Sequence, residues 1–167
     1  DLFNFDDIVK QIKKQNISIV VNLAGISNVE KCEEYPELAF SVNQKLAKIV
    51  AKACNFTNTK LIHISTDHLF RGDKESYYDE KDKKNPINYY SVTKSLCEDE
   101  IKKYIKDFLI IRTNFFGWGT SYRNSFSDYI IKNLILKKKV YLSDKIKFNP
   151  VYLENLIDFF ENLIKKK

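Results

Sequence analysis

The feature that most narrows the folds open to this chain is a repeated exchange between two hydrophobic periods. Phe5, Ile8, Val9 and Ile12 recur at the spacing of a helix face, and Ile17 to Leu23 then forms a short β-branched run. Such a run, apolar on both sides, suits a buried parallel strand. Pro36 stands where the next helix begins, and Leu38, Val42, Leu46, Ile49, Val50 and Ala53 mark its buried stripe. Leu61 to Ser65 reads as a second strand. Residues 73–85 carry nine formal charges and read as a solvated loop. Pro86 introduces a helix carrying Ile101, Tyr104 and Ile105, and Phe108 to Arg112 reads as a third strand. Beyond Gly117 and Gly119 the pattern predicts a helix over Ser125 to Leu136, a short strand over Val140 to Leu142 and a last helix over Leu153 to Ile164. Alternation of this kind predicts an α/β fold with a doubly wound parallel sheet. Ligands of such sheets bind beyond the carboxyl ends of the strands, here just after Leu23, Ile64 and Arg112.

Composition removes other classes. At 44% hydrophobic and 14% aromatic residues the chain has the means to build a core. Its 28 basic and 22 acidic residues leave a charge of +6, but only Arg71, Arg112 and Arg123 are arginines. Nucleic-acid surfaces lean on arginine forks, so a lysine excess scattered along the chain argues against that partner. No apolar stretch approaches the roughly 18 residues that cross a bilayer, so no membrane partner is expected. Cys32, Cys54 and Cys97 form no CxxC pair and have only His63 and His68 for company. That argues against a disulfide framework or a metal site and for reduced thiols in the cytoplasm.

Three motifs fall at the expected strand ends. Asn22-Leu23-Ala24-Gly25-Ile26-Ser27 follows the first strand, and its small residues let a flat ligand approach the backbone, although a plain tight turn reads the same way. Ser65-Thr66-Asp67-His68-Leu69-Phe70-Arg71-Gly72 follows the second, offering hydroxyls and a carboxylate that serve equally as ligand contacts or as caps and turn formers. Tyr90-Ser91-Val92-Thr93-Lys94 lies on the next helix, where residues four apart share a face. A cation near a phenol lowers its pKa from about 10 and makes it a usable proton donor or acceptor. Tyr77 with Lys81 and Tyr141 with Lys145 repeat the spacing, but the first pair lies in the charged loop and the second straddles a turn.

In this order and spacing the motifs resemble the extended short-chain dehydrogenase/reductases, and within them the dTDP-4-dehydrorhamnose reductase family. The resemblance continues through Tyr78, Glu80, Asp82 and Pro86, then Glu98, Arg112-Thr113 and Asn149-Pro150, and spans essentially the whole chain. It implies a Rossmann-like sheet and reduction of a 4-keto nucleotide-sugar by NADPH or NADH. By the same resemblance Tyr90 is the general acid, Lys94 lowers its pKa and holds the nicotinamide ribose, and Thr66 orients the substrate oxygen. Ala24, Gly25 and Ile26 then line the cofactor, and Ser27, Val29, Asp67 and Phe115 face the substrate. Asn43 fits a structural position near the site. A homodimer is left open.

Several features depart from the family. Ser91 stands where the family has glycine, Cys97 where it has a small residue, and His68 where the related dehydratases carry a glutamate. The glycine-rich turn that receives a pyrophosphate is absent, since Gly25, Gly72, Gly117 and Gly119 are the only glycines. The chain opens at Asp1 without a methionine. It is therefore expected to enter the fold partway, as one partial cofactor-binding domain with the start of a substrate-binding lobe from about residue 114. A nucleotide-sugar epimerase and a non-catalytic regulatory subunit like that of methionine adenosyltransferase are the alternatives.

Overall fold

Two asparagines held in the left-handed region, Asn16 and Asn58 (both φ 54°), close the helices that lead into the first two strands. Asn tolerates this conformation because its short polar side chain bonds locally. The computed structural model describes residues 1–120, 125–143 and 149–165. It divides into two units, Asp1–Arg112 and Thr113–Lys167.

In the first unit, helix α1 (Phe5–Lys14) is capped by Asn4, whose Oδ1 accepts from the Asp6 and Asp7 N–H groups. Strand β1 (Ile19–Asn22) follows, then helix α2 (Val29–Glu34). Helix α3 (Pro36–Ala39) runs through a π-helical stretch, Phe40–Lys45, into α4 (Leu46–Thr57). Strand β2 (Lys60–Ser65), a 3₁₀ turn (Asp67–Leu69), helix α5 (Tyr89–Tyr104) and strand β3 (Phe108–Arg112) complete the unit. The three strands are parallel in the order β1-β2-β3, with Asn22 opposite His63 and Ser65 opposite Arg112. Five sequence-read elements, α1, α5 and the three strands, thus stand close to where the periodicity put them. The helix read from Pro36 is longer and interrupted, and α2 precedes it.

The core forms where α1, α4 and α5 meet one face of the sheet. Val9, Ile12, Leu46, Val50, Ile101 and Leu61 are buried there, with Val20, Phe108 and Ile110 packed against them. Ala47, Ala51 and Ala53 are fully buried and let α4 approach closely. Further along this same face of β2, Leu61 is followed by His63 and Ser65, so the face turns polar toward the carboxyl ends.

Glu98 closes that polar end. It has no solvent exposure, and Arg112 grips it through two nitrogens, Nε at 2.9 Å and Nη2 at 2.8 Å. Lys102 and Lys84 stand 3.8 and 4.0 Å away. Burial pushes the Glu98 carboxyl up, but the two hydrogen bonds from Arg112 and the surrounding cations bring it below the usual range. The loop before α5 is exposed yet ordered by its own contacts: Tyr78 stacks on Phe70 with ring centroids 4.5 Å apart, and Lys74 pairs with Asp82 at 2.8 Å.

The second unit pairs β4 (Phe115–Phe116) with β5 (Val151–Tyr152) in parallel, and contains helices α6 (Phe126–Ile135) and α7 (Leu153–Lys165). Ser125 and Asp128 form a reciprocal capping box at the start of α6. The strand expected over Val140 to Leu142 is not formed; Tyr141 and Leu142 are 82% and 60% exposed. An apolar triplet becomes a strand only if a neighbouring strand supplies backbone partners, and the strand that pairs with β4 is β5, whose Val151 N–H donates to the Asn114 carbonyl at 2.8 Å. Lys145 lies outside the described residues. An open apolar hollow of about 420 Å³ is walled by Phe116, Trp118, Ile130, Ile131 and Tyr152. Among the described residues no helix is long and apolar enough to cross a membrane.

Truncating one side of the Glu98–Arg112 pair strands a buried charge. Arg112→Leu is expected to lower unfolding free energy in urea by about 3 kcal/mol, and a loss well under 1 kcal/mol would show that Lys84 and Lys102 suffice as partners.

Candidate active site

The β1-to-α2 loop is held by one side chain. Asn43, 2% exposed, accepts from the Ile26 N–H at 2.7 Å through Oδ1, and donates through Nδ2 to the Ile26 carbonyl at 3.1 Å and to Thr93 Oγ1 at 2.9 Å. The π-helical turn around Asn43 widens the helix and sets this side chain toward the loop, a use common at functional sites. A Cβ at Gly25 would meet Asn43 Oδ1 at 3.1 Å, so the glycine keeps the clamp tight. Ala24 and Gly25 are exposed; the Ala24 N–H donates to Asn22 Oδ1 at 3.1 Å. Asn22 Nδ2 is buried with no partner among the described residues. Ser27 is exposed and Val29 half-buried at the first turn of α2.

Thr66 is buried directly after β2. Its Oγ1 caps the 3₁₀ turn by accepting from the His68 N–H at 3.2 Å. Asp67, half-buried, places Oδ1 at 3.4 Å from the Thr66 hydroxyl, which donates to it. The His68 ring meets the Tyr90 ring edge-on, centroids 5.7 Å apart.

Helix α5 brings Tyr90 and Lys94 to these strand ends. Asn88 Oδ1 accepts from the Ser91 N–H at 2.8 Å, and Ser91 Oγ accepts from the Asn88 N–H at 3.2 Å. Ser91 therefore completes a capping box, which gives that unexpected serine a purpose glycine lacks. Glu33 of α2 adds a further acceptor for the Tyr89 N–H at 2.7 Å.

The electrostatics of the tyrosine differ from expectation. Burial pushes the half-buried Tyr90 phenol above its ordinary value; the Thr66 hydroxyl beside it pulls down, and Asp67 pushes up again. Lys94 is not among the groups acting on it. The cause is where the ammonium went. Lys94 is 7% exposed, and its Nζ donates to the Ile64 carbonyl at 2.6 Å and to His63 Nε2 at 3.2 Å. An interior ammonium must satisfy its donors first. Lys94 is thus committed to Ile64 and His63, while burial is the largest influence on the Tyr90 phenol.

Two residues of this cluster had no assigned role in the sequence. Cys97 Sγ lies 3.1 Å from the same His63 Nε2, and both residues are buried. The available signal was a histidine on the core-facing side of an apolar strand, two residues past Leu61. In the second unit Phe115 is 51% exposed, while the neighbouring Phe116 and Trp118 line the hollow.

Residues 1–167 match the family described as RmlD substrate binding domain. The chain belongs to that family. Among relatives of the RmlD family, the dTDP-4-dehydrorhamnose reductase of Salmonella typhimurium is 30% identical over 132 residues, which are 79% of this chain and 44% of the relative. The dTDP-4-dehydrorhamnose reductase of Bacillus anthracis, solved in complex with NADP, superposes with a TM-score of 0.90 at 26% identity, covering 99% of this chain and 58% of that one. A Clostridium acetobutylicum orthologue gives 0.87 at 25% identity over the same shares. The RmlD-family chain described here thus spans about two-fifths to three-fifths of the relatives it matches. Its α/β, Rossmann-like fold with a parallel sheet is theirs.

Burial and the Lys94 cation push the His63 imidazole from 6.5 down to about 3. The unfolded chain takes up a proton near its ordinary value that the folded chain refuses until far lower pH. The stability contributed by this mismatch is complete above pH 6.5 and is lost as pH falls toward 3, by at most about 1.4 kcal/mol per pH unit. Unfolding free energies of wild type and His63→Gln are expected to converge between pH 7 and about pH 4.5; a constant gap would mean that His63 titrates normally.

Proposed function

We propose that the chain carries the catalytic portion of an NAD(P)H-dependent reductase acting on a 4-keto nucleotide-sugar in the cytoplasm. The observation that supports this best is a half-buried phenol, Tyr90, beside the Thr66 hydroxyl at the carboxyl end of a parallel strand. Burial holds the phenol protonated, the state required of a group that gives a proton to a carbonyl oxygen.

The chain's own residues divide the work. Thr66 turns its hydroxyl proton from Asp67 to the substrate oxygen and orients it. Tyr90 transfers its proton to that oxygen as the carbonyl carbon is reduced, and the phenolate left behind is reprotonated from solvent. Lys94 offers its third N–H, beyond those given to Ile64 and His63, to a ribose hydroxyl. The hydride itself comes from bound NADPH or NADH. Ala24, Gly25 and the clamped Ile26 provide the flat wall for the nicotinamide end, and the unpaired Asn22 Nδ2 fits a polar ligand atom there. Ser27, Val29 and Asp67 border the sugar. Thr113–Lys167 begins the substrate lobe, where Phe115 and the aromatic hollow suit the flat faces of a nucleotide-sugar.

In the full chain Tyr90→Phe is expected to lower kcat by at least about 100-fold and to leave NADPH affinity unchanged. Retained turnover overturns the assignment. These 167 residues hold no glycine-rich turn for a pyrophosphate, so calorimetric titration of them with NADPH is expected to show no micromolar binding. Micromolar affinity would mean that another segment of the 167 residues receives the phosphates.

A further inference from the structure

We propose that His63 is a positioning residue that holds and aims the Lys94 ammonium through its neutral Nε2, an inference that rests on the reading of Lys94 as a cofactor-contacting group. His63 lies in the middle of β2, 1% exposed, on the face that Leu61 gives to the core. An apolar residue there would simply extend the core. Instead its Nε2 is met by Lys94 Nζ at 3.2 Å and Cys97 Sγ at 3.1 Å. An ammonium only donates, so Nε2 has to be the unprotonated nitrogen of the ring. The ring proton then sits on Nδ1, which is buried with no partner among the described residues.

An orphaned buried N–H is a standing cost that native structures rarely carry without a reason. The reason here is the acceptor on the other side of the ring. Without it Lys94 keeps one acceptor among the described residues, the Ile64 carbonyl at 2.6 Å, and a flexible four-carbon stem is free to swing about that single bond. With it, two fixed acceptors define the ammonium's orientation and so the direction of its remaining N–H. Burial also keeps the imidazole uncharged, so that it does not repel the cation it holds. The charged and titratable neighbours leave this assignment intact: Lys94 and Cys97 contact the ring from α5, and the Glu98 carboxylate, paired with Arg112 of β3, favours the charged form of Lys94 and the thiol form of Cys97.

Three variants test this. His63→Leu removes the acceptor at similar volume, His63→Gln restores one near the Nε2 position, and Cys97→Ala removes only the second donor. Long-range proton–nitrogen NMR of the wild-type chain is expected to show His63 as the Nδ1–H tautomer, and Cys97→Ala to leave it so. The Lys94 side-chain titration is expected to shift to lower pH in His63→Leu and to return in His63→Gln. In the full chain His63→Leu lowers kcat, by as much as about 100-fold, with KM for the nucleotide-sugar unchanged, and His63→Gln rescues it. An Nε2–H tautomer, or an unmoved Lys94 titration in a folded His63→Leu, overturns the inference. So does full turnover in His63→Leu where Tyr90→Phe abolishes it. Should Tyr90→Phe stay active, the reductase reading falls, and the Lys94 titration alone still decides whether His63 holds the ammonium. If His63→Leu does not fold, the wild-type tautomer and the His63→Gln titration carry the decision.

Discussion

An ammonium buried against a sheet has to be given acceptors, and much of the first unit's polar architecture meets that demand. Lys94 receives the Ile64 carbonyl, available because it sits near the carboxyl end of β2, and the imidazole of His63. Helix α5 carries the ammonium to this place. Its first turn is fixed by the Asn88–Ser91 box and its middle by the Glu98–Arg112 pair. Two electrostatic requirements, one for each sign of buried charge, thus set the helix against β2 and β3. The hydrophobic contacts of Ile101 and Leu61 supply the general attraction between helix and sheet, but many helix rotations would satisfy them. The ion and hydrogen-bond partners select one.

A second clamp makes the site's wall. Asn43 satisfies both backbone groups of Ile26, so the loop after β1 is held as firmly as a strand although it lies outside the sheet. The same amide donates to Thr93, whose hydroxyl donates in turn to the Tyr90 carbonyl at 2.8 Å. One side chain therefore ties the small-residue loop to the helix bearing the tyrosine. Fixed contacts of this kind hold the loop and the helix in one geometry.

How much of this was legible in the sequence depends on range. Helix and strand existence followed from local period, and β2 and β3 lie where their apolar runs predicted. The Tyr90–Lys94 spacing correctly put both residues on α5. What it could not say was which acceptor the lysine would choose, because Ile64 and His63 lie about thirty residues earlier. Val140 to Leu142 misled in a related way: strand propensity is local, whereas a strand needs a backbone partner, and β4 pairs with Val151–Tyr152 instead. Ser91 and Cys97 looked like departures from a family pattern until the helix cap and the His63 contact gave each a partner.

By itself the sequence determined the alternation of strands and helices, the placing of its three motifs at strand ends and on the following helix, and the family to which they point. Periodicity and turn chemistry act over a few residues, so they survive in a bare string of letters. Only the tertiary structure decided that burial pushes the phenol up, that Lys94 is shared between a carbonyl and a histidine, and that Asn43 holds the loop. Those outcomes depend on desolvation and on acceptors from distant segments, which exist only once the chain has packed.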